Sequence, residues 1–224
     1  YLLNSVDKII FITKWVKKKF FEGLPSLSDN KTQIIYHSID PFKKKLKKNK
    51  QIIFVGKLNE SKGYDLYCKA MFKILDSNKD WRAYSIGEEK RFQNFPTHSR
   101  HKSLGQISHS KVLEYLGKSE IAIIPSRWEE PFGRTAMEAS SRGCATIISK
   151  KGGLPETTDH AIILKKLDVK NIENETFNLI INKEFRKKTQ INSQKYIKHN
   201  LKTNSEIIDL MRNSLFPFKN INAN

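Results

Sequence analysis

The chain has 224 residues, room for one large domain or one and a half small ones, and with 38% hydrophobic residues it can build a sizeable core. No apolar run approaches the roughly 18 residues of a spanning helix, the start lacks a basic region and a small-residue cleavage site, and Cys68 and Cys144 form no metal or redox spacing. These features argue against an integral membrane protein and a disulfide scaffold, and for a soluble or peripheral protein of the reducing cytoplasm. The formal net charge of +18 is spread along the chain, in Lys17 to Lys19, Lys43 to Lys45, Lys150 with Lys151 and Lys187 with Lys188. It would draw phosphates, anionic lipid or nucleic acid, or it follows simply from A+T-rich codons.

In chain order, Asp7 to Thr13 reads as a short buried strand. Trp15 to Glu22 is a basic amphipathic helix stopped by Gly23-Leu-Pro25, and Lys31 to Asp40 is a further strand and turn. Pro41 to Lys50 is a Lys-rich connector, and the domain boundary falls there. The division is 1–48, the tail of a preceding domain with its linker; 49–200, the main domain; and 201–224, a C-terminal helix and tail.

A strand, Gln51 to Val55, opens the main domain. Gly56 permits a tight turn, and Ser61 is the expected cap of a helix running to about Leu75. Lys57 and Lys62 flank the turn and both reach toward the helix start. A diphosphate there would receive charge-assisted hydrogen bonds of about 1.5–3 kcal/mol each, and the helix N-terminus would add roughly 0.3–1 kcal/mol. The plain alternative is two solvated lysines in a lysine-rich chain. Trp81 to Gly87 is the next strand. His98 and His101 fall in a loop and read as surface residues. Ser108 caps a helix ending near Gly117.

Ile121 to Pro125 reads as a buried strand, and Gly133 to Arg142 as the helix after it. Glu130 lies in the loop between them and Glu138 lies inside the helix. Pro131 ends the strand, and Gly133 lets a ligand approach the backbone. Two glutamates at this spacing are common in ordinary strand-loop-helix units with solvated acids. Ala145 to Ser149 and Ala161 to Leu164 are the last strands, separated by the paired Gly152 and Gly153. Helices follow over Asp168 to Asn182, Glu184 to Asn200 and Ser205 to Ser214; Phe216-Pro-Phe218 ends the last, and the tail frays from Asn220. This alternation predicts an α/β, Rossmann-like doubly wound parallel sheet of about six strands. The strand ends near Lys57, Gly87, Gly105 and Glu130 should then line one crevice.

Three stretches carry a resemblance: Val55-Gly-Lys-Leu-Asn-Glu-Ser-Lys-Gly-Tyr-Asp65, then Glu130-Pro-Phe-Gly-Arg-Thr-Ala-Met-Glu138, then Gly143-Cys-Ala-Thr-Ile-Ile148 with Gly152-Gly-Leu-Pro-Glu156. Together they resemble glycosyltransferase family 4, retaining enzymes of the GT-B fold that use nucleotide-activated sugars. The resemblance runs from about Asp7 to Asp159 and implies a C-terminal, donor-binding half. It departs from the family at Lys57, where an arginine is usual, at His37-Ser38 in place of Asn-Gly, and after Gly87, where a second glycine is missing. It implies donor contacts from Gly56, Lys57, Lys62, Gly87, Gln106, Ile107, Glu130, Phe132, Gly133, Arg134 and Glu138. Lys57, Lys62 and Glu130 would act in catalysis: the lysines on the leaving diphosphate, Glu130 on sugar hydroxyls. Glu138 would accept the ribose hydroxyls. No metal and no cofactor beyond the nucleotide-diphosphate sugar substrate is expected. The implied activity is transfer of a hexose with retention to a saccharide or lipid-linked acceptor, in cell-surface polysaccharide or lipopolysaccharide synthesis. It would need an N-terminal domain outside this chain, and would take place at the inner face of an anionic membrane. No specific nucleic acid partner is expected. The competing reading is a basic, non-catalytic module that binds anionic lipid or RNA.

Overall fold

Short β-branched runs set the frame. The computed structural model describes residues 5–24, 31–39, 46–90, 97–197 and 203–215. In chain order its elements are β1 (Ile9–Phe11), α1 (Lys14–Phe20), β2 (Thr32–Ile34), β3 (Asn49–Val55), α2 (Tyr64–Ser77), β4 (Arg82–Ile86), β5 (His101–Ser103), α3 (His109–Lys118), β6 (Ser119–Ile124), α4 (Arg134–Ser141), β7 (Ala145–Ile148), β8 (Ile162–Ile163), α5 (Val169–Ile181), α6 (Lys183–Tyr196) and α7 (Thr203–Leu215). Six strands form one sheet in the order β5-β4-β3-β6-β7-β8, and every pairing in it is parallel. β1 and β2 pair separately, also in parallel.

Parallel strands buried on both faces must be apolar on both faces, and side chains alternate between them. Ile52, Phe54, Ile121 and Ile123 enter one core with Tyr67, Met71 and Leu75 of α2 and Ile172 and Leu179 of α5. Ile53, Ala122, Ile124 and Ile148 enter the other with Val112 and Leu116 of α3 and Ala136 and Ala139 of α4. The small Ala136 and Ala139 let α4 lie close to the sheet. A third cluster, Phe132, Met137 and Ile197 with Ile12, Tyr36 and Ile39, seats the β1–α1–β2 segment on the main domain.

The strand order reverses direction at β3. The chain moves outward through β4 and β5, then crosses back by α3 to β6 on the other side of β3. In doubly wound sheets this switch point opens a crevice at the C-terminal strand ends. Here the crevice lies above Val55 and Ile124.

Four local expectations are corrected. Ser61 does not cap α2. The side chain of Asn59 accepts the Lys62 amide and caps a 3₁₀ turn over Glu60–Lys62, and Ser61 Oγ donates to Asn59 Oδ1 at 2.8 Å. α2 begins only after Gly63, whose φ of 73° and closeness to Pro125 O (an added Cβ would lie 1.9 Å away) leave no room for a side chain. Ser108 stands at the start of α3, but its hydroxyl pairs with Ser110 Oγ at 3.1 Å and not with a backbone amide. His101 is not a surface residue: β5 tucks it beside Tyr67 and Phe72, and burial pulls its imidazole down to about 4. His98 stacks on Phe72 and meets Asp76 at 3.1 Å.

The fourth correction concerns the connector, whose end belongs to the domain. Lys48 is half-buried with its ammonium turned inward, where it donates to Ser119 O at 2.6 Å, Arg142 O at 2.8 Å and Leu116 O at 3.2 Å. These carbonyls stand at the ends of α3 and α4, where the helix dipole favours a cation. The expected stop at Phe216 to Phe218 and the frayed tail from Asn220 lie outside the described residues.

Candidate functional site

Two adjoining cavities open at the switch point and share Val55 and Gly56. The first, about 320 Å³, is lined by Gly56, Lys62, Ser126, Glu130 and residues 131–135, with Ile12 and His37 from the N-terminal segment. The second, about 560 Å³, is lined by Lys57, Gly87, Glu88, Glu89, Lys90, Gln106 and Ile107. Most of the residues singled out in the sequence therefore fall on one continuous crevice, divided by the strand end at Gly56. Gly87 and Gly56 form the floor between the two halves: a Cβ on Gly87 would stand 1.8 Å from Gly56 O.

The first cavity holds an opposed pair of charges. Lys62 Nζ lies 2.6 Å from Glu130 Oε1, with only 28% and 16% of the two side chains exposed. Ser126 Oγ donates to the same carboxylate oxygen at 3.0 Å. Partial burial screens the attraction within the pair less than at the surface, and an entering anion would compete for the same ammonium. Lys62 is aimed by the 3₁₀ turn, which Asn59 holds from the side; Asn59 Nδ2 in turn donates to Glu89 at 3.1 Å, tying one cavity to the other. Lys57 is exposed at the mouth of the second cavity.

The loop that carries Glu130 is fixed through three consecutive carbonyls. Gly153 N–H donates to Glu130 O (2.6 Å), Thr13 Oγ1 to Pro131 O (2.9 Å) and Thr157 Oγ1 to Phe132 O (2.7 Å). In a trans peptide the N–H points opposite to the C=O. The amides of Phe132 and Gly133 are therefore turned away from Thr13 and Thr157. α4 starts at Gly133 in the left-handed region (φ 102°), with no side-chain cap and no acid in its first turn. Its N-terminal amides and dipole can thus meet an anionic ligand. The paired glycines approach this loop and not a ligand: a Cβ on Gly152 would stand 2.3 Å from Glu130 O.

Glu138 stands apart from the other candidates. It lines neither cavity; it is buried inside α4, where its carboxylate meets His109 Nε2 at 3.1 Å and Arg134 at 3.8 Å. Both partners are largely exposed and can swing away. Arg134 also acts on His37, whose imidazole is held below the ordinary histidine range first by burial and then by the guanidinium charge. The His37 ring meets Phe132 edge-on at 5.0 Å.

Sequence reasoning missed Ser126 as a partner of Glu130, and missed Ile12, His37, Asn59 and His109. Only Ser126 left a signal, as the first polar residue after a buried strand at the crevice.

The fold and the site together define a Rossmann-like half of a GT-B architecture. A family model for glycosyl transferases group 1 matches residues 37–196, and the chain belongs to that family. The chain is similar to an uncharacterised glycosyltransferase of Methanocaldococcus jannaschii (26% identical, over 69% of this chain and 45% of that protein). It is also similar to the phosphatidylinositol N-acetylglucosaminyltransferase GPI3 subunit of Saccharomyces cerevisiae (25%, over 70% and 38%). Among solved structures it superposes on Anabaena HepE in complex with UDP (TM-score 0.79, 16% identity, 92% of this chain and 64% of that one). It likewise superposes on WaaG, a glycosyltransferase involved in lipopolysaccharide biosynthesis (TM-score 0.74, 14% identity, 91% and 62%). The chain spans less than half the length of the two curated relatives. Among the described residues no helix is long and apolar enough to cross a membrane.

Proposed function

We propose that this crevice binds a nucleotide-diphosphate sugar, and that the chain is the donor half of a retaining glycosyltransferase. The observation that carries the reading is the partly buried Lys62–Glu130 pair in the smaller of two connected cavities at the switch point, beside an uncapped helix start. In this reading the diphosphate lies over Gly56 and the start of α4 and draws Lys62 from Glu130, with Lys57 at its outer edge. Glu130, released, accepts hydroxyls of the sugar in the smaller cavity. The nucleoside fills the larger cavity along Gly87, Gln106 and Ile107, and Glu138 takes the ribose hydroxyls once His109 or Arg134 yields.

Negative charge grows on the leaving diphosphate as its bond to the anomeric carbon breaks. The lysines therefore bind the transition state more tightly than the ground state. The leaving phosphate oxygen accepts the acceptor hydroxyl's proton while that hydroxyl's oxygen bonds to the same face of the anomeric carbon, which retains configuration. The acceptor is a saccharide or lipid-linked saccharide held largely by an N-terminal domain, at the inner membrane face, in surface polysaccharide synthesis. A uridine nucleotide is the first donor to try, because HepE is a fold neighbour solved with UDP.

The test is saturation-transfer NMR of the chain against uridine, guanosine and adenosine diphosphate sugars. Transfer from the ribose and base protons of one donor is expected. Silence across the panel, with salt-sensitive binding to anionic vesicles or RNA, would replace this reading with that of a non-catalytic basic module.

A further inference from the structure

The segment bearing β1, α1 and β2 is fastened to the site through one carboxylate that the donor reading leaves unused. Glu156 closes the 3₁₀ turn Leu154–Glu156. One of its oxygens accepts the Trp15 amide at 2.9 Å, and the other accepts the Lys14 amide at 2.8 Å and the Tyr36 hydroxyl at 3.1 Å. Thr13 already takes the Val16 amide at 3.0 Å, so Glu156 completes the cap of a helix more than a hundred residues away in sequence. On its other side the same loop grips the Glu130 and Phe132 carbonyls through Gly153 and Thr157. The join has no slack, since a Cβ on Gly153 would come within 2.7 Å of Thr13 Cγ2. Ile12 and His37, each next in sequence to a residue in this join, line the smaller cavity from the N-terminal segment.

We propose that Glu156 is a positioning residue: through the start of α1 and through Tyr36 it seats Ile12 and His37 as the wall that closes the Lys62–Glu130 cavity. What fills the cavity rests on the donor reading; the clamp does not. The charged and titratable groups around it are Tyr36, Tyr196 and Asp159 near Glu156, and Arg134, Lys62 and Glu130 near His37.

The test uses the whole chain without ligand. The titration of His37 is followed by NMR, and hydrogen exchange is read at the Lys14 and Trp15 amides, in the parent, in Glu156→Gln and in the milder Tyr36→Phe. With the wall released, His37 is expected to return toward the ordinary histidine range in Glu156→Gln. The two amides should exchange at least ~tenfold faster, and Tyr36→Phe should move His37 the same way by less. His101, buried elsewhere, should keep its low value. An unchanged His37 in folded Glu156→Gln, or in Tyr36→Phe should the first variant not fold, overturns the proposal. So does a His101 that moves in step, which would mean general loosening. UDP affinity of the parent, measured separately, judges the donor reading alone.

Discussion

Replacing Lys62 with alanine removes the ammonium that is paired with Glu130 in the smaller cavity. A charge-assisted hydrogen bond to a diphosphate contributes about 1.5–3 kcal/mol, or roughly ten- to 150-fold in Kd. The free-state geometry adds a second effect. Lys62 lies 2.6 Å from a carboxylate that is only 16% exposed, so the truncation leaves the half-buried Glu130 without its cation, held by the Ser126 hydroxyl and facing the incoming phosphates. Repulsion between two unit anions ~4 Å apart at an effective dielectric near 20 is on the order of 4 kcal/mol. Lys62→Ala should therefore weaken UDP at least ~30-fold. The double variant Lys62→Ala/Glu130→Gln should bind more tightly than Lys62→Ala alone, because the repulsive partner is gone. The assay is isothermal calorimetry with UDP at two salt concentrations, with thermal melts to confirm folding. UDP affinity within twofold of the parent for Lys62→Ala would refute the assignment. A double variant no better than the single one would refute the electrostatic argument even if the site were right.

On the donor reading, in which Glu138 takes the ribose hydroxyls, Glu138→Ala should weaken UDP about tenfold or more yet leave 2′-deoxy-UDP nearly as the parent binds it; calorimetry with the two nucleotides decides. Gly87→Ala drives a methyl into Gly56 O from a left-handed φ of 138°, so a clear fall in the urea midpoint and loss of UDP binding are expected. His101 gives a pH limb. Its pKa in the folded chain is about 4 against roughly 6.5 unfolded, so between these values the unfolded chain binds the extra proton and stability falls as pH falls. Partial exposure discounts the effect to the order of 2–3 kcal/mol, and His101→Gln should flatten that limb in urea melts at pH 7 and pH 4.5.

The sheet was legible because its strands are short runs such as Ile52 to Val55 and Ile121 to Ile124, whose both-face burial leaves them apolar throughout. The alternation of strand and helix then dictated parallel pairing. Lys62 and Glu130 were legible as candidates because each sits just past a strand end, where a doubly wound fold places its ligands. Their contact was not, since 68 residues separate them and only the switch point brings them together. Helix starts failed where two capping residues competed: Asn59 stands two positions before Ser61 and took the 3₁₀ turn, leaving α2 to begin at Gly63. His101 was misread because a three-residue edge strand leaves little periodicity, and its burial comes from Phe72 and Tyr67 on α2. The carboxylate of Glu156 gives no local sign at all that it closes a distant helix.

The buried ammonium of Lys48 has a practical consequence for anyone cutting this chain. It ties the end of α3 to the end of α4 through three carbonyls, and Leu46 packs against Gly117 so closely that a Cβ there would lie 2.7 Å from its methyl. A fragment begun at the first residue of β3 would lose both anchors. One begun at Leu46 keeps them. Fusions, permutations and domain swaps with other family members should therefore be joined ahead of Leu46.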